Sequence, residues 1–292
     1  MTGGAGFIGS HVVDALVERG DDVVVVDDLS SGKRENVNPA ARFEQRDICD
    51  GLDLDGVDAV FHLAAQADVQ TSMRQPDRDA AVNVVGTVRV LDAAQRAGAQ
   101  FVFTSTGGAI YGECDRPADE DYPKRPLSPY GIAKLCGEEY LDGWNRIHGT
   151  GYVVLRLANV YGPRQVAELE GGVVSIFLER LAQGEQAAIF GDGLQTRDFV
   201  YVGDVVGALL AAAGHDGGVF NVGTSIETTI LDLHRACAAV AGVDGEPLFE
   251  EARLGDVRRS VLDVTLAGNE LGWRPQVGLE DGLGLTWQSL HA

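Results

Sequence analysis

Tyr130 and Lys134 stand four residues apart in the run Ser128-Pro129-Tyr130-Gly131-Ile132-Ala133-Lys134. Serine suits the cap of a helix and proline its first position, so the tyrosine and the lysine fall on one helix face. A phenol ordinarily loses its proton near pH ~10. A neighbouring ammonium stabilises the phenolate and makes tyrosine a usable base closer to neutrality. The pair gains meaning from what precedes it. Thr2-Gly3-Gly4-Ala5-Gly6-Phe7-Ile8-Gly9 places glycines at a G-x-x-G-x-x-G spacing ahead of an amphipathic helix. Gly3 and Gly6 permit a tight turn and close approach of a pyrophosphate to backbone N–H groups. Gly9 lets the helix pack near a sheet, and the helix N-terminus favours phosphate charge. Asp27 and Asp28 close the next apolar strand. An acid there accepts hydrogen bonds from the adenosine ribose and repels a 2′-phosphate, which selects NAD over NADP.

A proton relay needs a hydroxyl near the tyrosine. Phe101-Val102-Phe103-Thr104-Ser105-Thr106 ends an apolar run in hydroxyl residues, and a parallel strand delivers such an end into the ligand crevice. Thr106 is the first candidate and Ser105 the second; the same hydroxyls could simply satisfy backbone groups in the turn at Gly107-Gly108. Arg197 and Arg253 are candidate diphosphate clamps, because a guanidinium matches phosphate geometry. On spacing alone, surface ion pairs explain both arginines as well. The histidines show no ligand-like grouping, so no metal site is expected.

The elements that must position these groups alternate. Apolar β-branched runs at Val23–Val26, Ala59–Leu63, Phe101–Thr104 and Val153–Leu157 read as strands. Ile8–Arg19, Val82–Ala97 and Pro129–Ile147 read as helices. Short apolar strands separated by helices imply a doubly wound α/β fold, a parallel sheet covered on both faces. The dinucleotide-binding lobe is expected over residues 1–164. A smaller substrate-binding lobe follows over 165–292, with a helix at Val173–Gln183, a strand at Ala187–Phe190 and a helix at Ile230–Val240. The chain is expected to return to the first lobe around Arg197–Ala213. The glycine turn needs a strand feeding it, which Met1 alone cannot supply, so a start upstream of Met1 is expected.

Composition excludes several classes. A net charge of −21 over 292 residues argues against general affinity for nucleic acid or anionic membrane. No apolar run approaches the roughly 18 residues of a membrane span, and no signal peptide is expected ahead of the first motif. Cys49, Cys114, Cys136 and Cys237 are scattered, as thiols in a reducing compartment are. A cytoplasmic location is the expectation.

As an ordered set, these motifs resemble the extended short-chain dehydrogenase/reductase family, most closely its UDP-glucose 4-epimerase branch. The likeness also takes in His62-Leu63-Ala64-Ala65, Asn83 with Gly86-Thr87, Leu155–Arg164, Arg197–Asp204, Asn221-Val222-Gly223 and Gly255-Asp256. It implies a Rossmann lobe with a small C-terminal substrate lobe, and a homodimer built through a four-helix contact. It implies that Phe7 and Ile8 sit on the pyrophosphate and Asp27 on the ribose, with Asp28, Leu29, Ser30, Ser31 and Gly32 beside it. Asp47 and Ile48 would lie by the adenine, and Leu63, Ala64, Ala65 and Asn83 would line the cofactor. Asn159, Arg197, Arg253 and Asp256 would hold the diphosphate of a UDP-sugar. Tyr130 would take the C4 hydroxyl proton while C4 is oxidised by NAD, and the 4-keto sugar would turn over before reduction from the other face.

Two departures from the family pattern matter. The stretch from Thr106 to Tyr111 is one residue longer, which leaves Thr106 and Ser105 as alternative relays. Ser260 falls where some epimerases carry a bulky tyrosine, so the sugar pocket is expected to be wider and N-acetylated sugars acceptable. A 4,6-dehydratase would need an acid–base pair where this chain has Gly107-Gly108. Epimerisation or decarboxylation of UDP-glucuronate is a further alternative, and a non-catalytic NAD-binding regulator would be expected to have lost the tyrosine or the lysine.

Overall fold

The computed structural model describes residues 1–167, 172–252 and 257–291. Its first half alternates as the apolar pattern requires: α1 Phe7–Arg19, β1 Val24–Asp27, β2 Arg42–Gln45, β3 Ala59–His62, α2 Val69–Arg74 and α3 Pro76–Ala80. A one-turn π segment follows at Ala81–Gly86, then α4 Thr87–Ala97, β4 Gln100–Thr106, α5 Gly107–Ile110, α6 Pro129–His148, β5 Val153–Leu157 and β6 Asn159–Tyr161. The later elements are α7 Val173–Ala182, β7 Ala188–Phe190, β8 Thr196–Arg197, β9 Phe199–Tyr201, α8 Val202–Ala212, β10 Gly218–Val222, β11 Thr228–Thr229, α9 Ile230–Ala241, β12 Leu248–Glu250, α10 Thr265–Glu270 and α11 Leu279–Ser289.

The main sheet is parallel. β3, β4, β5 and β10 pair in that order, and β1 pairs with β2. Thr2 joins the two groups, bridging Val26 on one side and His62 on the other. The glycine turn therefore leaves the sheet between β1 and β3, where the strand order reverses and an open α/β sheet forms its crevice.

Burial follows the pattern read from the sequence. β5 is buried at every residue, as a strand covered on both faces must be. One apolar cluster packs α1 and α8 against the sheet through Val12, Val13, Leu16, Val205 and Leu209. A second packs α4 on the opposite face through Val90, Leu91, Phe101 and Phe103. A third lies apart, where Phe177 and Leu178 of α7, Ile189 of β7, and Leu233 and Cys237 of α9 meet.

Two expectations need correction. The helix read over Val82–Ala97 begins as a π turn at Ala81–Gly86, next to which Thr87 Oγ1 donates to the Asn83 carbonyl at 2.8 Å. The chain's return to the main sheet also runs past Ala213, since β10 pairs along the whole of β5. The glycines at 217 and 218 that lead into β10 masked that strand.

Candidate active site

The glycine turn closes on itself as its spacing demands. Gly3 has φ +72°, and a Cβ there would stand 2.6 Å from the Ala64 backbone nitrogen. A Cβ on Gly9 would collide with the Gly3 carbonyl. Both clashes are with backbone, which cannot step aside. Gly3→Ala is accordingly expected to lower stability by at least about 2 kcal/mol, from left-handed strain and the backbone clash together. It should also abolish retention of NAD; a variant that releases as much NAD on denaturation as the parent would contradict this.

Asp27 is 7% exposed and braces that turn. Its Oδ2 accepts from Ala5 N–H and its Oδ1 from Leu29 N–H, each at 2.9 Å. Each oxygen keeps lone-pair capacity for a ribose hydroxyl. Burial pushes this carboxyl above its ordinary range, and the two backbone donors pull it back.

A cleft of about 1410 Å³ runs from the turn across the ends of the strands. Gly3, Gly6, Phe7, Ile8, Gly9, Asp27, Asp28, Ser30, Ser31, Asp47, Ile48, Leu63, Ala64 and Ala65 line it, as the sequence motifs led one to expect. Leu29 and Gly32 do not. Leu29 takes a left-handed turn at φ 62°, and Gly32 packs where a Cβ would meet Ala5 and the Asp27 carboxylate. Asn83 is also absent from the wall. It is 1% exposed and lies behind the cleft, accepting from Gln66 N–H and donating to the Gln66 carbonyl, both at 2.9 Å. Its place is to hold the loop after Ala65.

The catalytic candidates meet at the end of β4. Ser128 caps α6, its hydroxyl accepting from Gly131 N–H at 3.2 Å. That start puts Tyr130 in the first turn and Lys134 one turn on, both facing the cleft. Lys134 is 3% exposed, donates to the Thr104 carbonyl at 3.0 Å and lies over the Phe103 ring at 4.8 Å. Burial holds its ammonium down to about 8. Tyr130 is half-buried. Burial raises its phenol well above the ordinary value, the Asp79 charge adds to that, and the Thr106 hydroxyl bonded to it lowers it. In the protein alone, desolvation thus outweighs the phenolate stabilisation expected from the lysine.

Thr106 also caps α5, its Oγ1 accepting from Ala109 N–H at 3.2 Å. Ser105 Oγ is buried with no hydrogen-bond partner among the described residues. Both line the cleft, but only Thr106 engages the phenol.

His62 is a brace behind the centre. Thr87 donates its own proton to the Asn83 carbonyl, so His62 Nε2–H donates to Thr87 Oγ1 at 3.0 Å and Nδ1 accepts from Thr2 at 2.7 Å. Burial and Lys134 push this imidazole down to about 3, which keeps it neutral.

The far end of the cleft is lined by Asn159, Gln195, Arg197, Phe190, Ile230 and Leu248, so Asn159 and Arg197 stand where a substrate could meet them. Arg253 and Asp256 lie outside the described residues. Ser260 is 4% exposed, is tied through its N–H to the Thr196 carbonyl at 3.2 Å, and is not on the cleft wall. The wider sugar pocket expected from it has no support in this placement.

Sequence reading missed Gln66, Asp79, Glu138 and Arg156. Glu138 could have been found, since it continues the face of Tyr130 and Lys134 at the same four-residue spacing. Asp79 had only its spacing to Asn83.

The residues present fit NAD: a backbone cradle that no side chain could share, with an acid at the ribose position. Comparison with known proteins agrees. The sequence model of the NAD dependent epimerase/dehydratase family matches residues 1–223. The UDP-glucose 4-epimerase of Mycolicibacterium smegmatis is 48% identical over 98% of this chain and 96% of its own length. The crystal structure of the Thermotoga maritima UDP-glucose 4-epimerase with UDP-glucose superposes with a TM-score of 0.96 at 50% identity, covering 99% of this chain and 97% of the other. The Thermus thermophilus UDP-glucose 4-epimerase in complex with NAD gives 0.93 at 41% identity, covering 100% and 98%.

Proposed function

From membership of the NAD-dependent epimerase/dehydratase family, to which this chain belongs, we propose that it inverts C4 of a UDP-sugar and interconverts UDP-glucose and UDP-galactose. The observation that carries the reading is the meeting of Tyr130, Thr106 and Lys134 in one cleft, over the glycine turn at one end and open to Arg197 at the other.

NAD, when bound there, supplies a reversible acceptor for the hydrogen on C4 and its two electrons. The chain's own residues handle the proton. Tyr130 accepts it from the C4 hydroxyl and later returns it, with Thr106 bonded to the phenol as the relay. Lys134 keeps positive charge beside the phenol. Arg197 and Asn159 hold the diphosphate end, and the apolar walls limit water.

The same geometry disfavours elimination of water from the sugar. The space a side chain at position 107 would need is filled by Leu262, whose Cδ1 lies 2.5 Å from a Cβ built there, and Gly108 offers no acid either. Burial of Lys134 and Tyr130 in working positions disfavours a non-catalytic binder.

A homodimer and a cytoplasmic location belong to the same reading. Among the described residues no helix is long and apolar enough to cross a membrane. The test is to incubate the purified protein with UDP-galactose, UDP-glucuronate and UDP-N-acetylglucosamine without added NAD and to separate the products. Conversion of UDP-galactose to UDP-glucose is expected. Release of carbon dioxide from the uronate, or no turnover of any sugar, would overturn the assignment.

A further inference from the structure

One buried acid beside the centre takes no direct part in the exchange. Asp79, on α3, is 1% exposed. Its Oδ1 accepts from Gln66 Nε2 and from Asn83 Nδ2, both at 2.9 Å. Its Oδ2 is shielded from solvent and has no hydrogen-bond partner among the described residues. Such an atom is costly to bury unless a charge compensates it.

The compensating charge is at hand. α3 packs against α6. Burial pushes the Asp79 carboxyl upward, and its Gln66 and Asn83 donors and the Lys134 charge pull it back. Its negative charge opposes proton loss from both Lys134 and Tyr130. Lys134 is almost wholly buried, and among the described residues it meets the Thr104 carbonyl and the Phe103 ring. Glu138, one turn further along α6, is engaged by Arg156 in a two-pronged ion pair, so most of its charge is balanced there. The π segment that follows α3 brings Asn83 round to grip Oδ1, and π turns of this kind recur at functional sites.

We propose that Asp79 is a positioning residue of the reaction: its buried carboxylate is the counter-charge of Lys134, and its charge, felt by that lysine and by Tyr130, sets the pH at which Tyr130 passes from proton donor to proton acceptor.

The sign follows from charge alone. A carboxylate beside a coupled tyrosine and lysine opposes loss of a proton from either, so removing it lets the first proton leave at lower pH. Other charges around Asp79 are Asp77 and Arg78 on its own helix, and Arg74 with the capping Asp68 on α2, joined by an ion pair at 3.8 Å. The π segment carries none. α6 contributes Tyr130, Lys134 and the paired Glu138.

The proposal rests on the epimerase reading for its kinetic meaning, but its test does not depend on turnover. The chain has three lysines, Lys33, Lys124 and Lys134. Carbon-13 labelling of lysine therefore gives three ε-carbon signals, assigned by Lys134→Met. In Asp79→Asn, which keeps the acceptor for Gln66 and Asn83, the Lys134 midpoint is expected to fall by about one pH unit. Lys33 and Lys124 should not move, and Asp79→Glu should titrate like the parent. The acid limb of kcat against pH should shift by a similar amount in the same direction. An unmoved Lys134 signal, or a lower kcat with an unmoved midpoint, would reduce Asp79 to a structural bond and overturn the proposal. Should Asp79→Asn not fold, the parent decides. Its Lys134 signal must show a second inflection as Asp79 takes up a proton in acid, and a single smooth titration would overturn the proposal. Failure of UDP-sugar turnover with a shifted lysine would strike the epimerase reading alone.

Discussion

Replacing Tyr130 by phenylalanine is expected to lower kcat by roughly 10³-fold while leaving the fold and the NAD content of the protein intact. The ring, which lines the cleft and packs at the start of α6, is retained. The hydroxyl that bonds to Thr106 is lost, and with it the group proposed to take and return the C4 proton. General acid–base groups contribute about 10²–10⁴-fold to rate, and among the described residues no other titratable side chain of suitable strength stands at this point in the cleft. His62, at the end of β3, is fully buried and kept neutral by that burial and by the Lys134 charge. Turnover of UDP-galactose, thermal unfolding and NAD released on denaturation measure the three quantities separately. A variant keeping more than about a tenth of parental kcat would remove Tyr130 from the mechanism.

The second large effect lies two turns further along the same helix. Arg156 on β5 is 3% exposed and Glu138 on α6 is 6% exposed. Arg156 Nε donates to Glu138 Oε1 at 3.0 Å and Nη2 to Oε2 at 2.6 Å. Arg156 Nη1 donates to the Tyr111 hydroxyl and to the Glu120 carbonyl, each at 2.8 Å, and the Tyr111 hydroxyl donates to Asn221 Oδ1 at 2.8 Å. One guanidinium thus ties α6, β5, the segment after α5 and β10. Arg156→Met would leave Glu138 charged and unpaired in the interior, and stability is expected to fall by about 3–5 kcal/mol. That is a large part of what holds an ordinary domain folded. The double variant Arg156→Met with Glu138→Leu removes both charges and should recover most of the loss. Urea unfolding of the three proteins checks this. A single variant within about 1 kcal/mol of the parent would show that the pair is open to water.

The glycine turn and the Tyr130–Lys134 helix face were legible in the sequence because their parts are local. A glycine turn needs glycines at set positions, a capped helix start needs Ser128-Pro129, and a shared face needs residues four apart. Each of these is dictated within a few residues, and each stands where the pattern put it. Strand identity was equally local, since β5 is apolar along most of its length for the plain reason that both its faces are covered. The relay was half legible: hydroxyls at the end of β4 were expected, but alternation along the strand decided that Thr106, not Ser105, meets the phenol.

What stayed hidden depends on distant pairs. The resemblance set Asn83 at the cofactor, yet Asn83 and Asp79 fold under the cleft, tied to Gln66 of the loop after β3 while α3 packs on α6, and only that distant packing buries them. Ser260 looked like a pocket residue by position along the chain, yet the bridge that pairs Arg259 with Thr196 turns it into the interior. The acidity of Tyr130 is the sharpest case. Sequence determined which groups could exchange a proton; only the tertiary structure set how deeply they are buried and which charges lie beside them, and desolvation acts through that depth, which no spacing along a chain records.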